Sequence, residues 1–208
     1  MTTPSLQGKT CIVTGGASGL GKAISKILLA AGANTVIVDI NASALSSTAS
    51  ELVSSGELHT INTDITSEDA VKSLVEETVS KYGKLDVLVN NAGVIDRFDP
   101  VGDVEKGLWD KVIAINLTAP YLLSKAAVNT MVKSGGGSIV NVGSAAGARG
   151  GAAGKDQSIV YESIQMKGRR CRMIWLMDFR GRLHSVKTRS HGPNKVHSSP
   201  LYEERHPL

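Results

Sequence analysis

Four glycines fall within the eight residues Thr14–Gly21 (TGGASGLG). A turn of that composition can bend tightly, bring backbone close to a pyrophosphate and let a helix press against a strand. If a helix follows, its free N–H groups and about half a positive charge face the phosphate oxygens. Asp39 closes the apolar run NTVIVD, 18 residues after Gly21. An acid there can accept from both ribose hydroxyls of an adenosine and would repel a 2′-phosphate. The pair predicts NAD as the cofactor, with NADP less suited. Asp64 is placed to meet the adenine ring from the opposite side, or to cap a helix beginning near Ser67. Other side chains have two uses. Asn90 and Asn91 suit a turn after a strand, Asn116 suits a helix break beside Pro120, and Ser144 carries a hydroxyl in a Gly/Ala/Ser-rich loop.

Short apolar runs alternate with helical patterns over the first 154 residues, which predicts βα units and a parallel sheet. Strands are expected at Lys9–Thr14, Asn34–Asp39, Leu58–Thr63, Asp86–Asn90 and Ser138–Val142. Helices are expected at Gly19–Ala31, Ala42–Ser54 and Glu68–Tyr82, the last with Val71, Leu74, Val75 and Val79 on one face. Helical material then runs from about Asp103 to Val132, interrupted near Asn116 and Pro120. Beyond Gly154 the rhythm stops, and Cys171–Phe179 (CRMIWLMDF) reads as the best helical stretch there.

Composition changes at the same place. Residues 1–154 carry 12 Lys and Arg against 14 Asp and Glu, a net −2, whereas residues 155–208 carry 11 against 5, a net +6. All 19 alanines precede residue 155, and four of the five histidines follow it. The reading is a nucleotide-binding domain at 1–154 and a basic tail at 155–208, irregular or disordered. A charge of +6 can attract anions. The tail's aromatics (Tyr161, Trp175, Phe179 and Tyr202) are scattered, however, and no binding module is present, so neither nucleic acid nor an anionic membrane is expected as a partner. The longest uncharged run, Ser134–Ala148, is too short and too rich in Gly and Ser to cross a membrane. The first ten residues do not read as a signal peptide. With only Cys11 and Cys171, a reducing compartment is the default, and the expected location is cytoplasmic. No metal site is expected.

The motifs together resemble the short-chain dehydrogenase/reductase family: TGGASGLG at Thr14–Gly21, Asp39, Asp64-Ile65, NNAG at Asn90–Gly93, Asn116 within IAINLTAP, and IVNVGSAAG at Ile139–Gly147. The resemblance covers residues 6 to about 154. It implies an α/β fold, a Rossmann-type doubly wound parallel sheet that is incomplete here at about five strands. It also implies NAD(P)-dependent hydride transfer between an alcohol and a carbonyl on a small molecule, often in a homo-oligomer. Carried onto this chain, it assigns cofactor contacts to Gly15, Ala17, Ser18, Gly19, Leu20, Gly21, Asp39, Ile40, Asp64, Ile65, Asn91, Ala92 and Gly93. It assigns Asn116 to the helix kink that holds a relay water, and Ser144 to the hydrogen bond with the reacting oxygen.

One family feature is missing. A Tyr-x-x-x-Lys pair is expected about 13 residues after the serine, but counting from Ser144 reaches Gln157 and Tyr161. Tyr161 and Lys167 are spaced by six, so they would not share a helical face. A phenol titrates near 10, and lowering that by about three units takes roughly 4 kcal/mol of electrostatic help. Without a placed acid/base, proton transfer slows by about 10²–10⁴. The sixth and seventh strands of the family, the helix bearing Tyr and Lys, and the substrate lid also have no counterpart, which would leave the fifth strand as an exposed edge. The domain therefore reads as truncated or mis-spliced after about residue 154. Gly154-Lys155 can be encoded by GGTAAG, which contains a common intron start; a spliced transcript still encoding KDQSIVYE would exclude that origin. Activity of the chain is in doubt on this reading. The alternative is a non-catalytic NAD-binding protein that pairs with a full-length relative through the helices around Asp103–Val132.

Overall fold

The computed structural model describes residues 5–52, 56–95, 97 and 100–144, and the backbone of 171–176. Five strands match the predicted runs to within a residue: β1 (Thr10–Thr14), β2 (Asn34–Asp39), β3 (Leu58–Asn62), β4 (Val87–Asn90) and β5 (Gly137–Val142). A sixth, β6 (Cys171–Leu176), comes from the tail. Among the described residues all strands pair in parallel, in the order β3-β2-β1-β4-β5-β6. A parallel sheet with a crossover helix after each strand hides both faces, so its central strands are continuous apolar runs. β1 is buried along its whole length.

β6 corrects two expectations. Cys171–Leu176 is extended, not helical, and β5 is not an edge, since it lies between β4 and β6. The physical reason is the one that made a bare β5 costly: its outer N–H and C=O groups need partners. A segment containing Ile and Trp, of weak helical preference, supplies them in register from Gly137↔Cys171 to Val142↔Leu176. The tail is therefore not irregular throughout. Its remaining residues, with Gln157, Tyr161 and Lys167 among them, lie outside the described residues.

The helices are α1 (Gly19–Ala30), α2 (Ala42–Leu52), α3 (Glu68–Tyr82), α4 (Lys106–Ile113) and α5 (Ala119–Met131). α3 shows how this sequence closes a helix start. Ser67 accepts from the Ala70 N–H, and Glu68 and Asp69 place negative charge in the first turn. α4 and α5 run on through a π-helical turn at Ala114–Thr118, so the predicted interruption is an extra residue in the winding. The main core joins Ile12, Val36 and Leu88 of the sheet to Leu74 of α3 and Leu123 and Met131 of α5. Cys11 belongs to the same buried sheet. Burial pushes its thiol up to about 12, so it is an inert packing residue.

The starts of the central strands β1 and β4 are held together by Asp86. Its carboxylate accepts from Lys9 Nζ at 2.8 Å, from the Thr10 N–H at 2.9 Å and from Lys84 Nζ. Burial opposes its ionisation, but the bonds from Lys9, Thr10 and Lys84 outweigh that and hold the carboxyl below its ordinary 3.8. Since the folded value is the lower one, this stabilisation is complete above the ordinary value and is lost as pH falls through the folded value. Asp86→Asn should cost about 1–2 kcal/mol at pH 7. In urea denaturation the gap between variant and wild type should narrow steadily below pH 4; a gap that stays constant there would show that the charge is not responsible.

Candidate functional site

Because every strand is parallel, all strand ends that follow the chain direction lie along one edge. Gly15 follows β1, Asp39 ends β2, Asp64 lies just past β3, Asn91 follows β4 and Ser144 comes two residues after β5. The strand order reverses between β1 and β4, where an open α/β sheet forms a crevice. A cleft of about 380 Å³ occupies that place.

Of the predicted cofactor residues, Gly15, Ser18, Gly19, Leu20, Asp39, Ile40, Asp64, Ile65, Asn91, Ala92 and Gly93 line this cleft. Ala17 and Gly21 do not; they sit behind its wall. A Cβ on Gly21 would lie 2.1 Å from the Gly15 carbonyl oxygen and 2.6 Å from Asn91 Nδ2, so the start of α1 presses directly on the turn and on β4. Gly15 has φ +63°, a backbone that side-chain-bearing residues rarely adopt, and a Cβ there would lie 2.9 Å from Ala92 Cα.

Sequence reasoning passed over Val38, Thr63, Val94 and Ile115, which also line the cleft. Three of them are apolar and carry no chemical signal in their spacing. It also missed the work of Thr14. The Thr14 hydroxyl accepts from the N–H groups of Asn91 at 3.0 Å and Ala92 at 3.1 Å, and donates to Val89 O at 3.3 Å. In return, Asn91 Nδ2 donates to Thr14 O at 2.9 Å and Gly15 O at 3.3 Å. The two strand ends flanking the crevice are thereby locked together.

Asp39 accepts from the Ala17 N–H at 3.2 Å through one oxygen and from the Asn41 N–H at 3.0 Å through the other. Asp64 is exposed and does not cap α3, a role that falls to Ser67. Instead it accepts from the Thr66 N–H and hydroxyl, and those bonds keep its carboxyl below the ordinary range. Asn116 lies in the π-helical turn and clasps the segment after Gly93: its Oδ1 accepts from the Val94 N–H and its Nδ2 donates to Val94 O, both at 2.8 Å. Ser144 is half-buried at the same sheet edge but does not line the cleft. Beneath it, Asn90 Nδ2 donates to Asn141 Oδ1 at 2.8 Å and to Ser124 Oγ at 3.3 Å, tying β4, β5 and α5 by a buried polar contact. Among the described residues no cluster of His, Cys, Asp or Glu could hold a metal, and no helix is long and apolar enough to cross a membrane.

A glycine turn, an open helix start, an acid ending β2 and a cleft at the reversal point occur here in one place. The family model of the short chain dehydrogenases matches residues 9–158. The chain belongs to that family. Among curated relatives it is 54% identical over 152 residues to the short chain dehydrogenase/reductase dpchG of Colletotrichum higginsianum, covering 72% of this chain and 57% of that protein. It is 42% identical over 155 residues to the short chain dehydrogenase/reductase dpmpG of Macrophomina phaseolina, covering 73% and 89%. It is 36% identical over 155 residues to 3beta-hydroxysteroid dehydrogenase 2 of Eggerthella lenta, covering 72% and 60%. The chain spans 57% of the length of the first two relatives it matches.

The tightest contact in the site gives a direct check. Gly21→Ala must push α1 away from Gly15 and Asn91, and should cost about 2–3 kcal/mol of stability. Thermal unfolding measures it; a variant as stable as wild type would show that the turn yields easily.

Proposed function

We propose that this chain binds NAD in the cleft, in preference to NADP, and that it descends from an oxidoreductase moving a hydride between an alcohol and a carbonyl. The observation that carries the reading is the contrast between two helix starts. α3 is closed by Ser67 and two acids, whereas α1 has no side-chain cap from Ser18 and no acid in its first turn. The first-turn N–H groups of α1 therefore keep donors for an outside anion, at a cleft bordered by Gly15, Ser18 and Gly19.

The residues fit a dinucleotide. Ser18, Gly19 and Leu20 would hold the pyrophosphate, Asp39 the ribose hydroxyls, Ile40 and Ile65 the faces of the adenine beside Asp64, and Asn91 to Gly93 the middle of the molecule. Bound NAD would supply the hydride acceptor. Backbone N–H donors on both oxygens fix the Asp39 carboxylate in place, and its negative charge disfavours a 2′-phosphate.

Ser144 would orient a substrate oxygen, and Asn116 would hold the segment around Val94 in place. Neither exchanges a proton at neutral pH. The proton-handling Tyr-x-x-x-Lys pair is absent from its expected positions, so we propose that turnover is lost or greatly slowed while cofactor binding is kept. A small alcohol or carbonyl is the substrate class of the lineage. A reducing, cytoplasmic setting suits the unreactive thiol of Cys11.

A second reading has its own support. Trp109 on α4 and Tyr121 on α5 are 42% and 46% exposed, large aromatic surfaces that suit a helical interface. Through them the chain would pair with itself or with a full-length relative and modulate it without catalysis.

Titration should show NADH binding in the micromolar range with no reduction of NAD by a panel of alcohols. Asp39→Ser should narrow the preference for NADH over NADPH at least tenfold, about the effect of removing one charged contact. Equal affinity of the wild type for both cofactors would refute the specificity. Turnover that disappears in Tyr161→Phe would refute the loss of catalysis.

A further inference from the structure

Both main-chain groups of Ala17 are held. Its N–H donates to Asp39 Oδ2 at 3.2 Å, and its carbonyl accepts from Thr48 Oγ1 at 2.6 Å. Thr48 lies on α2, whose residues do not touch the cleft, and it is 2% exposed. One turn earlier on the same face, Leu45 packs with Ala17 and Ile37 in a small separate core. The neighbouring Gly16 N–H donates to Val38 O at 3.1 Å. The glycine turn is thus not shaped by its own sequence alone; it is anchored to β2 and α2 by three bonds and one apolar contact.

We infer that Thr48 is a positioning residue for the nucleotide turn: its buried hydroxyl draws the Ala17 carbonyl toward α2, which aims the following N–H groups at the phosphates. The inference rests on the dinucleotide reading of the cleft. Its physical basis is the sign of the peptide dipole. A carbonyl oxygen swung into the cleft mouth would set partial negative charge against an anion, whereas one bonded to α2 leaves only donors facing it. Because Asp39 holds the N–H of the same residue, the two peptides that meet at the Ala17 Cα are each anchored, one to the ribose-binding acid and the other to α2. A turn without the Thr48 bond samples other peptide orientations, and the fraction competent to bind falls accordingly.

The test uses the full chain as wild type, Thr48→Val and Thr48→Ser, with Thr48→Ala as the hydroxyl-free form if Thr48→Val does not fold. NADH binding is titrated, and amide hydrogen exchange is followed without nucleotide. Removing the hydroxyl while keeping its shape should weaken NADH by about 5- to 20-fold, the range expected when a buried carbonyl loses its donor. It should also speed exchange at Ala17 to Gly19 while β1 and β2 keep their rates. Thr48→Ser should restore both. The reverse order, with Thr48→Ser the worse variant, marks a packing role and overturns the inference, as does unchanged exchange in Thr48→Val. If the wild type binds neither NADH nor ADP-ribose yet exchange follows the expected order, the dinucleotide reading falls while the hold of Thr48 on the turn stands.

Discussion

Asn91 commits its side-chain amide to two carbonyls of the neighbouring strand end, while Thr14 accepts the N–H groups of Asn91 and Ala92 in return. This exchange sits where the sheet reverses its order, and it fixes how far β1 and β4 stand apart at the point where a crevice opens. The start of α1 then has a defined seat, because Gly21 touches both Gly15 and Asn91. Loosen the exchange and the turn, the helix start and the segment held by Asn116 all lose their common reference. Partly buried hydrogen bonds of this kind add little net stability each, but leaving one unmade is costly, so they select a single geometry.

Most of the fold up to residue 144 was legible because the parallel sheet is buried on both faces and writes itself as apolar runs. Val71, Leu74 and Val75 on α3 gave their spacing away for the same reason. The site was legible where chemistry demands rare residues: glycines at close contacts and an acid at the end of β2. Thr14 and Thr48 were not, since a hydroxyl that bonds backbone across tens of residues leaves no local pattern. Val94 and Ile115 were missed because an apolar wall needs only bulk. The strand at Cys171–Leu176 was misread because a six-residue, mostly apolar segment has no clear period, and its state is decided by the partner edge waiting for it.

The tail accordingly has two characters. Its composition departs from the domain, with no alanine and a net +6, yet six of its residues continue the sheet beside β5. Strand pairing asks little of a sequence beyond an extended backbone, because the bonds are made by main-chain groups. Proton handling asks for two side chains at fixed spacing. A segment can therefore satisfy the first demand without approaching the second, which is how the sheet can extend into residues that contain no Tyr-x-x-x-Lys spacing.

The π-helical turn at Ala114–Thr118 sets the phase of everything after it. Each residue advances an α-helix by about 100°, so one surplus residue rotates the remainder by that angle relative to an unbroken winding. Leu123, Ala127 and Met131 face the sheet only because of this offset. Asn116, at the centre of the turn, thus couples two things that look separate: the loop it clasps at Val94 and the angular setting of α5. A lineage that lost the surplus residue would have to re-pattern the whole of α5 to keep its core.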